Sequence, residues 1–170
     1  LVKKIKDKKL RYDCVIPVSG GKDSTWQTIK CLEYGLNPLT VTWKAPQRTK
    51  VGQDNLENLI SLGVDHIDWT INPNIEKKLT LESFKKFGSV AIPMHLAIFN
   101  IPVLVASHFK IPYVIWGENS AVEYGNFSKK ENEKILTRKW FKNYGVTNNT
   151  EAKDWVSKSF SKNKLSSYFN

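Results

Sequence analysis

The sequence predicts an α/β fold built on an open, mostly parallel, doubly wound sheet. Three observations carry this. Four short apolar, β-branched runs alternate with helical patterns in the order β-α-β-α-β-α-α-β. The first run passes straight into a glycine pair at the start of a helix, within Ser19-Gly20-Gly21-Lys22-Asp23-Ser24. The length of 170 residues, 41% of them hydrophobic, suits one domain with a core of useful size.

The elements follow in order. Residues 12–18 (YDCVIPV) read as a strand buried on both faces, broken by Ser19-Gly20-Gly21. Residues 25–34 read as a helix with Trp26, Ile29 and Leu32 at three-residue steps on its apolar side, stopped by Gly35. Residues 38–43 (PLTVTW) form the second strand, and 45–50 a polar loop containing a proline. Residues 53–62 form a helix with Leu56, Leu59, Ile60 and Leu62 as its apolar positions, ended by Gly63. Residues 66–71 (HIDWTI) form the third strand, and 74–87 an amphipathic helix. Residues 94–108 are helical, with Pro102 expected to kink or interrupt them. Residues 112–116 (PYVIW) form the fourth buried strand and run into Gly117-Glu118-Asn119. After Phe127 the pattern weakens. Residues 153–160 predict one further helix, and the last ten residues read as loosely ordered.

Right-handed crossovers bring the C-termini of all four strands to one edge, where such sheets bind ligands. That edge carries residues 19–24, 43–50 and 117–124. The expected organisation is an α/β domain over 1–128 and a basic C-terminal extension over 129–170, a partial helical segment of a longer chain. The absence of an initiator Met points the same way.

The formal charge is +10, and it is uneven. Residues 1–11 carry six basic groups and one acid, and residues 129–170 carry ten basic groups and four acids. Between them the chain is nearly neutral. The excess therefore lies outside the expected core, as a solvated lysine-rich surface or as a contact for RNA or an acidic partner. No apolar stretch reaches the roughly 18 residues of a membrane span. No apolar run follows the first lysines as a signal peptide would require. Cys14 and Cys31 are the only cysteines, which suits a reducing, cytoplasmic setting. Cys14, inside the first strand, reads as a small buried hydrophobe. His66, His95 and His108 are too scattered for metal-ligand spacing.

Ser19 to Ser24 carries the chemistry. Consecutive glycines permit positive φ and close approach of a ligand to the backbone. The helix that follows offers free N–H groups and a partial positive charge to an anion. Lys22 adds a formal charge, and two hydroxyls add donors. This is not a Walker A loop, because Ile16 stands where its first Gly would be and Asp23 follows the Lys. A glycine-rich turn capped by Asp23 or Ser24 is the plainer alternative.

Ser19-Gly20-Gly21-Lys22-Asp23-Ser24 resembles the SGGxDS motif of the PP-loop ATP pyrophosphatases, whose fold is of the adenine nucleotide alpha hydrolase type. A narrower resemblance covers most of 10–128. Residues 12–18, 35–39, Arg48-Thr49, Gly52, Asn55, 62–66, Gly117-Glu118-Asn119 and Glu123-Tyr124-Gly125 are similar to the N-acetyl sugar amidotransferases of bacterial surface-polysaccharide (lipopolysaccharide) biosynthesis. The resemblance implies ATP-dependent adenylation of the acetamido carbonyl of a free or nucleotide-linked N-acetyl sugar. Ammonia from a glutaminase, delivered through a cyclase-type partner, would then give an acetamidino sugar, AMP and pyrophosphate. It also implies Mg²⁺. Members known to us carry cysteine pairs ahead of this domain, and this chain has none. Nucleic acid and membrane insertion are not expected.

On this reading Val18, Ser19, Gly20, Gly21, Lys22, Asp23, Ser24, Trp43 and Gly117 bind the nucleotide. Lys22, Arg48 and Asn119 are the catalytic candidates. Asp23 and Glu118 are the metal ligands, since magnesium is held by one or two carboxylates plus phosphate oxygens. Each has a plainer alternative. Glu118 could cap a helix, Arg48 could pair with a surface acid, with Lys44 in its place as the phosphate clamp, and Trp43 could be core. Asn119 and Glu123 are candidates for contact with the sugar. The competing functions are another PP-loop ligase, such as a tRNA-modifying enzyme, and a non-catalytic nucleotide- or RNA-binding module.

Overall fold

The computed structural model describes residues 2–6, 10–117 and 146–169. By their contacts the described residues gather into two compact units, one of residues 2–6, 10–71 and 101–117, the other of 72–100 and 146–169. The expected boundary at 128 lies outside the described residues. Residues 72–100 group with the C-terminal stretch.

In the first unit three parallel strands, β1 (Cys14–Pro17), β2 (Pro38–Trp43) and β3 (Asp65–Trp69), lie in the order β1-β2-β3. The register pairs Val15 with Leu39 and Val41 with Ile67. The expected fourth strand is reduced to a parallel bridge, Val15 to Val114. There Val15 N–H donates to Tyr113 O and Ile115 N–H donates to Val15 O, both at 2.9 Å. β1 is therefore central, flanked by β2 on one side and by the 113–115 segment on the other.

Helices α2 (Lys22–Glu33) and α3 (Lys50–Ile60) follow β1 and β2. Cys14, Ile16 and Val18 alternate onto one face of the sheet, where they form a single buried cluster with Cys31 of α2 and Leu56 and Leu59 of α3. Ile5, from the short helix α1 (Val2–Lys6), joins the same cluster. The basic N-terminal stretch thus contributes to the core, contrary to expectation. Val2, partly buried, packs against the same cluster. Cys14 and Cys31 are both buried and free. Their mutual hydrogen bond, followed by burial, pushes the Cys14 thiol far up.

Two expectations about α2 are corrected. It starts three residues earlier, at Lys22, and its buried face is Gln27, Thr28 and Cys31. Trp26 is 63% exposed, with Lys30 Nζ 5.8 Å from its ring centre.

In the second unit, α4 (Pro73–Phe87) ends at Gly88, which adopts φ 65°. Residues 89 and 90 lead into α5 (Ala91–His108), which crosses from this unit into the first. α5 is one helix through Pro102, so the proline does not interrupt it. Its 18 residues, at mean hydropathy 1.4, are long and apolar enough to cross a membrane, which also corrects the sequence reading. Half of it is buried within the protein, along a row that includes Ile92, Leu96, Ile101 and Val105. Asn100 in this row donates to Leu96 O at 2.8 Å and to Tyr168 O at 2.5 Å.

The C-terminal stretch is better fixed than its composition suggests. The expected helix over 153–160 is a single 3₁₀ turn, Ala152–Trp155. A second 3₁₀ turn spans Ser166–Tyr168, and Leu165 and Tyr168 are buried. Trp155 meets Phe87 edge-on at 5.9 Å.

Candidate functional site

The C-terminal end of β1 passes into the glycine loop. Val18 N–H donates to Val41 O at 2.9 Å, and the Thr42 hydroxyl donates to Val18 O at 2.5 Å, so β2 fixes the point where the loop begins. Gly20 adopts φ +80°, and a Cβ there would stand 2.9 Å from Leu56 N of α3. Both the backbone angle and the packing require glycine at this position. Gly21 is the N-cap of α2, at φ −74° and ψ 164°.

The loop's hydroxyls are used internally. Gly21 N–H donates to Ser19 Oγ at 3.3 Å, the Ser24 hydroxyl donates to Gly21 O at 3.1 Å, and Ser19 N–H donates to Ser24 Oγ at 3.4 Å. They hold the loop closed on itself. No side chain caps α2, so its first-turn amides are left for an acceptor from outside the helix. The capped-turn alternative, with Asp23 or Ser24 satisfying the helix end, is therefore not what forms. Lys22 and Asp23 are exposed, and among the described residues neither side chain makes an ion pair or hydrogen bond. An unengaged carboxylate beside an uncapped helix end fits a ligand to a cation that bridges it to phosphate. Among the described residues no group of three or more His, Cys, Asp or Glu forms a metal cluster.

Gly117 lies on the other side of β1. A Cβ on it would stand 3.0 Å from Gln27 Oε1 and 3.6 Å from both Asp23 C and Ser24 N. The end of the bridging segment thus packs onto the first turn of α2, as the shared sheet edge requires. Glu118, Asn119, Glu123 and Tyr124 lie outside the described residues.

The β2–α3 turn is different. Thr49 caps α3, accepting from Gly52 N–H at 3.1 Å. Arg48 is 13% exposed in its side chain and forks onto Asp68 of β3, at 2.9 and 2.6 Å, with a further bond to Gln53 Oε1 at 3.0 Å. The pairing alternative describes Arg48 here, and it would serve a phosphate only by exchanging Asp68 for it. Lys44 Nζ stands 3.9 Å from the same carboxylate. Trp43 is partly buried at the end of β2, in register with Trp69.

Three features were missed from the sequence. The contact of Gly20 with the Asn55–Leu56 backbone joins residues 35 positions apart and has no local signal. Gln27, with Oε1 buried and unpartnered beside Gly117, looked like an ordinary polar helix position. Asp68 was recoverable, because a carboxylate inside an apolar strand calls for a cationic partner.

No protein-family model matches the chain, and no curated protein does. Among solved structures, the structure of NMN synthetase from Francisella tularensis matches with a TM-score of 0.54 and 18% identity over 100% of this chain and 73% of the other. A predicted subunit of tRNA methyltransferase from Methanocaldococcus jannaschii gives a TM-score of 0.44 at 18% identity, over 90% and 71%. The parallel sheet, the glycine loop at the end of its central strand and the first of these likenesses together give the chain's fold: α/β, of the PP-loop, adenine nucleotide alpha hydrolase-like type.

Proposed function

We propose that the chain is an ATP-dependent amidotransferase that converts the acetamido group of an N-acetyl sugar to an acetamidino group. The observation that supports this most is the uncapped first turn of α2, with Lys22 and Asp23 unengaged beside it. That turn offers amide donors and one cation to a polyphosphate. The choice of sugar chemistry rests on the motifs that resemble the N-acetyl sugar amidotransferases.

An acetamide oxygen is a poor leaving group. In the proposed reaction it attacks the α-phosphorus of ATP, and pyrophosphate leaves. Ammonia then adds to the imidate carbon, and AMP departs with the oxygen. Lys22 and the amides of α2 take up charge on the departing pyrophosphate. Asn119 is the candidate for orienting the activated amide, and Trp43 for lying along the adenine. Asp23 and Glu118 are the candidate ligands for Mg²⁺, which would neutralise the phosphates when bound. A glutaminase and cyclase pair would supply the ammonia, in the cytoplasm.

The test is a turnover assay with ATP, ammonium and a panel of UDP- and CMP-linked N-acetyl sugars. AMP and pyrophosphate should appear in equal amounts and only with an accepted sugar. ADP as the main nucleotide product would overturn the proposal. AMP formation indifferent to every sugar would transfer the fold to another ligase reaction.

A further inference from the structure

The second unit holds a cavity of about 310 Å³ that belongs to neither the glycine loop nor its helix. Its walls are Lys78, Leu81 and Glu82 of α4, then Lys158, Ser159, Phe160 and Lys164. We propose that it binds a small organic diphosphate, or pyrophosphate itself, through Lys78, Lys158 and Lys164.

The walls are built. Lys78, Leu81 and Glu82 fall at i, i+3 and i+4, one face of a helix. Leu79 and Ser83, both fully buried, pin the opposite face. Residues 157–160 form a closed turn. Ser157 N–H donates to Phe160 O at 2.9 Å and Phe160 N–H returns to Ser157 O at 3.2 Å. Lys158 and Ser159 are the two central residues of that turn, and Phe160 anchors it in the core. A second turn presents Lys164, whose N–H donates to Ser161 Oγ at 3.4 Å, and the buried Leu165 fixes it.

The charges are unbalanced. Lys78, Lys158 and Lys164 make no ion pair among the described residues, whereas Lys153 and Lys162 of the same unit are engaged. Lys153 pairs with Glu151 at 2.9 Å, and Lys162 lies 5.6 Å over the ring of Phe169. Among the described residues Glu82 is the single acid in the wall, and Lys85 takes it at 3.4 Å. The fold thus gathers three exposed ammonium groups around one concavity, and among the described residues the only acid of its wall already faces Lys85, so the concavity offers net positive charge to an anion. A diphosphate has the charge to match them, and the Ser159 hydroxyl can donate to it. The volume is at the small end of ligand pockets, which suits a compact anion with a modest organic group against Leu81.

The test is a titration of the full chain with pyrophosphate, followed by two-dimensional amide NMR. The glycine loop is itself a phosphate cradle, so the readout must separate the two places. Saturable shifts at the amides of Leu81, Glu82, Ser159 and Phe160 are expected, and they should persist in Lys22→Ala. In Lys78→Gln/Lys158→Gln/Lys164→Gln those shifts should need at least tenfold more pyrophosphate, while shifts at Gly20 to Ser24 stay as in wild type. The unchanged remainder of the spectrum reports that this variant is folded. Saturation confined to Gly20 to Ser24 would overturn the site. So would lysine-dependent binding of a single-stranded RNA oligomer with no saturable response to pyrophosphate, which would make the surface an RNA contact.

Discussion

The two βα turns at the edge of the first unit solve the same problem in opposite ways. Each must satisfy the free amides at the start of a helix. After β2, Thr49 caps α3 and Arg48 is tied to Asp68. After β1, the hydroxyls of Ser19 and Ser24 close the loop on itself, and α2 begins at a glycine with no side-chain cap. The first solution is complete without a ligand. The second leaves amides, a lysine and a carboxylate facing outward. A turn that declines its own cap, on the central strand of a parallel sheet, is where an anion fits. A turn that is capped and salt-bridged holds shape.

The largest effect should come from the glycines, and it separates shape from binding. Gly20→Val meets both a left-handed backbone and the α3 backbone at 2.9 Å. The strain should cost about 1–2 kcal/mol, and the overpacking about 1–3 kcal/mol more. Thermal unfolding should fall by several degrees, and ATP binding should be lost with it. Gly21→Val has an allowed φ of −74° and meets only Ser19 Oγ at 3.2 Å, so its melting temperature should stay near wild type. ATP binding should nevertheless vanish, because the branched side chain enters the cradle. Wild-type ATP affinity in Gly21→Val would remove the loop from the binding site.

Lys22→Ala sharpens the same contrast. Lys22 is exposed and unengaged, so unfolding should move by less than about 0.5 kcal/mol, the usual range for surface changes. Turnover should fall at least tenfold, about 1.4 kcal/mol of transition-state stabilisation. A stability loss matching the activity loss would make Lys22 structural and erase the difference between the turns.

How much of this was legible beforehand follows from range. β2 was read to the residue, because a β-branched run between Gly35-Leu36-Asn37 and a polar loop is a local signal. The glycine loop was legible for the same reason. Trp26 was misplaced because a three-residue step of apolar side chains says nothing of which face the sheet accepts. Here α2 docks through Gln27, Thr28 and Cys31, which are small or polar. Pro102 was read as a kink or an interruption, and the helix is not interrupted: the missing N–H costs one bond in a helix whose buried row runs on either side of it. The closed turns at 157–165 were read as the end of a helix and the start of a loosely ordered tail, and their order came only with Phe160, Leu165 and Tyr168 in place.

The Arg48–Asp68 pair tests the completed turn. Arg48→Lys loses the planar fork but keeps the charge, and Asp68→Asn loses the charge but keeps the shape. Because the pair is partly exposed, each should cost about 1 kcal/mol or less in chemical unfolding. The double variant should cost little more than the larger single change, since both remove one interaction. ATP affinity should change little in either. A tenfold loss of ATP affinity confined to Arg48→Lys would show instead that the fork leaves Asp68 for phosphate, and would make the second turn part of the site.

The smallest effect concerns His66, which lies on β3 two residues from Asp68. The Thr40 hydroxyl donates to Asp65 O at 2.9 Å, so at 3.0 Å its oxygen must accept from His66 Nδ1–H. That fixes the neutral tautomer and leaves Nε2 buried without a partner. A proton added there would find no acceptor. Burial holds the imidazole below its usual value of 6.5, with Asp68 opposing the shift and Arg48 reinforcing it. The folded state therefore binds fewer protons than the unfolded chain as pH falls past 6.5. The stability that neutral His66 contributes is fully present above that pH and is lost progressively below it, down to the folded value. Urea unfolding of wild type should become easier between pH 7 and pH 5, relative to His66→Gln, which has nothing to titrate. Asp68→Asn removes the one opposing charge, so the loss in that variant should extend to lower pH. Parallel pH profiles for wild type and His66→Gln would mean that water or a backbone shift satisfies Nε2, and that the interior beside the completed turn is less closed than its hydrogen bonds imply.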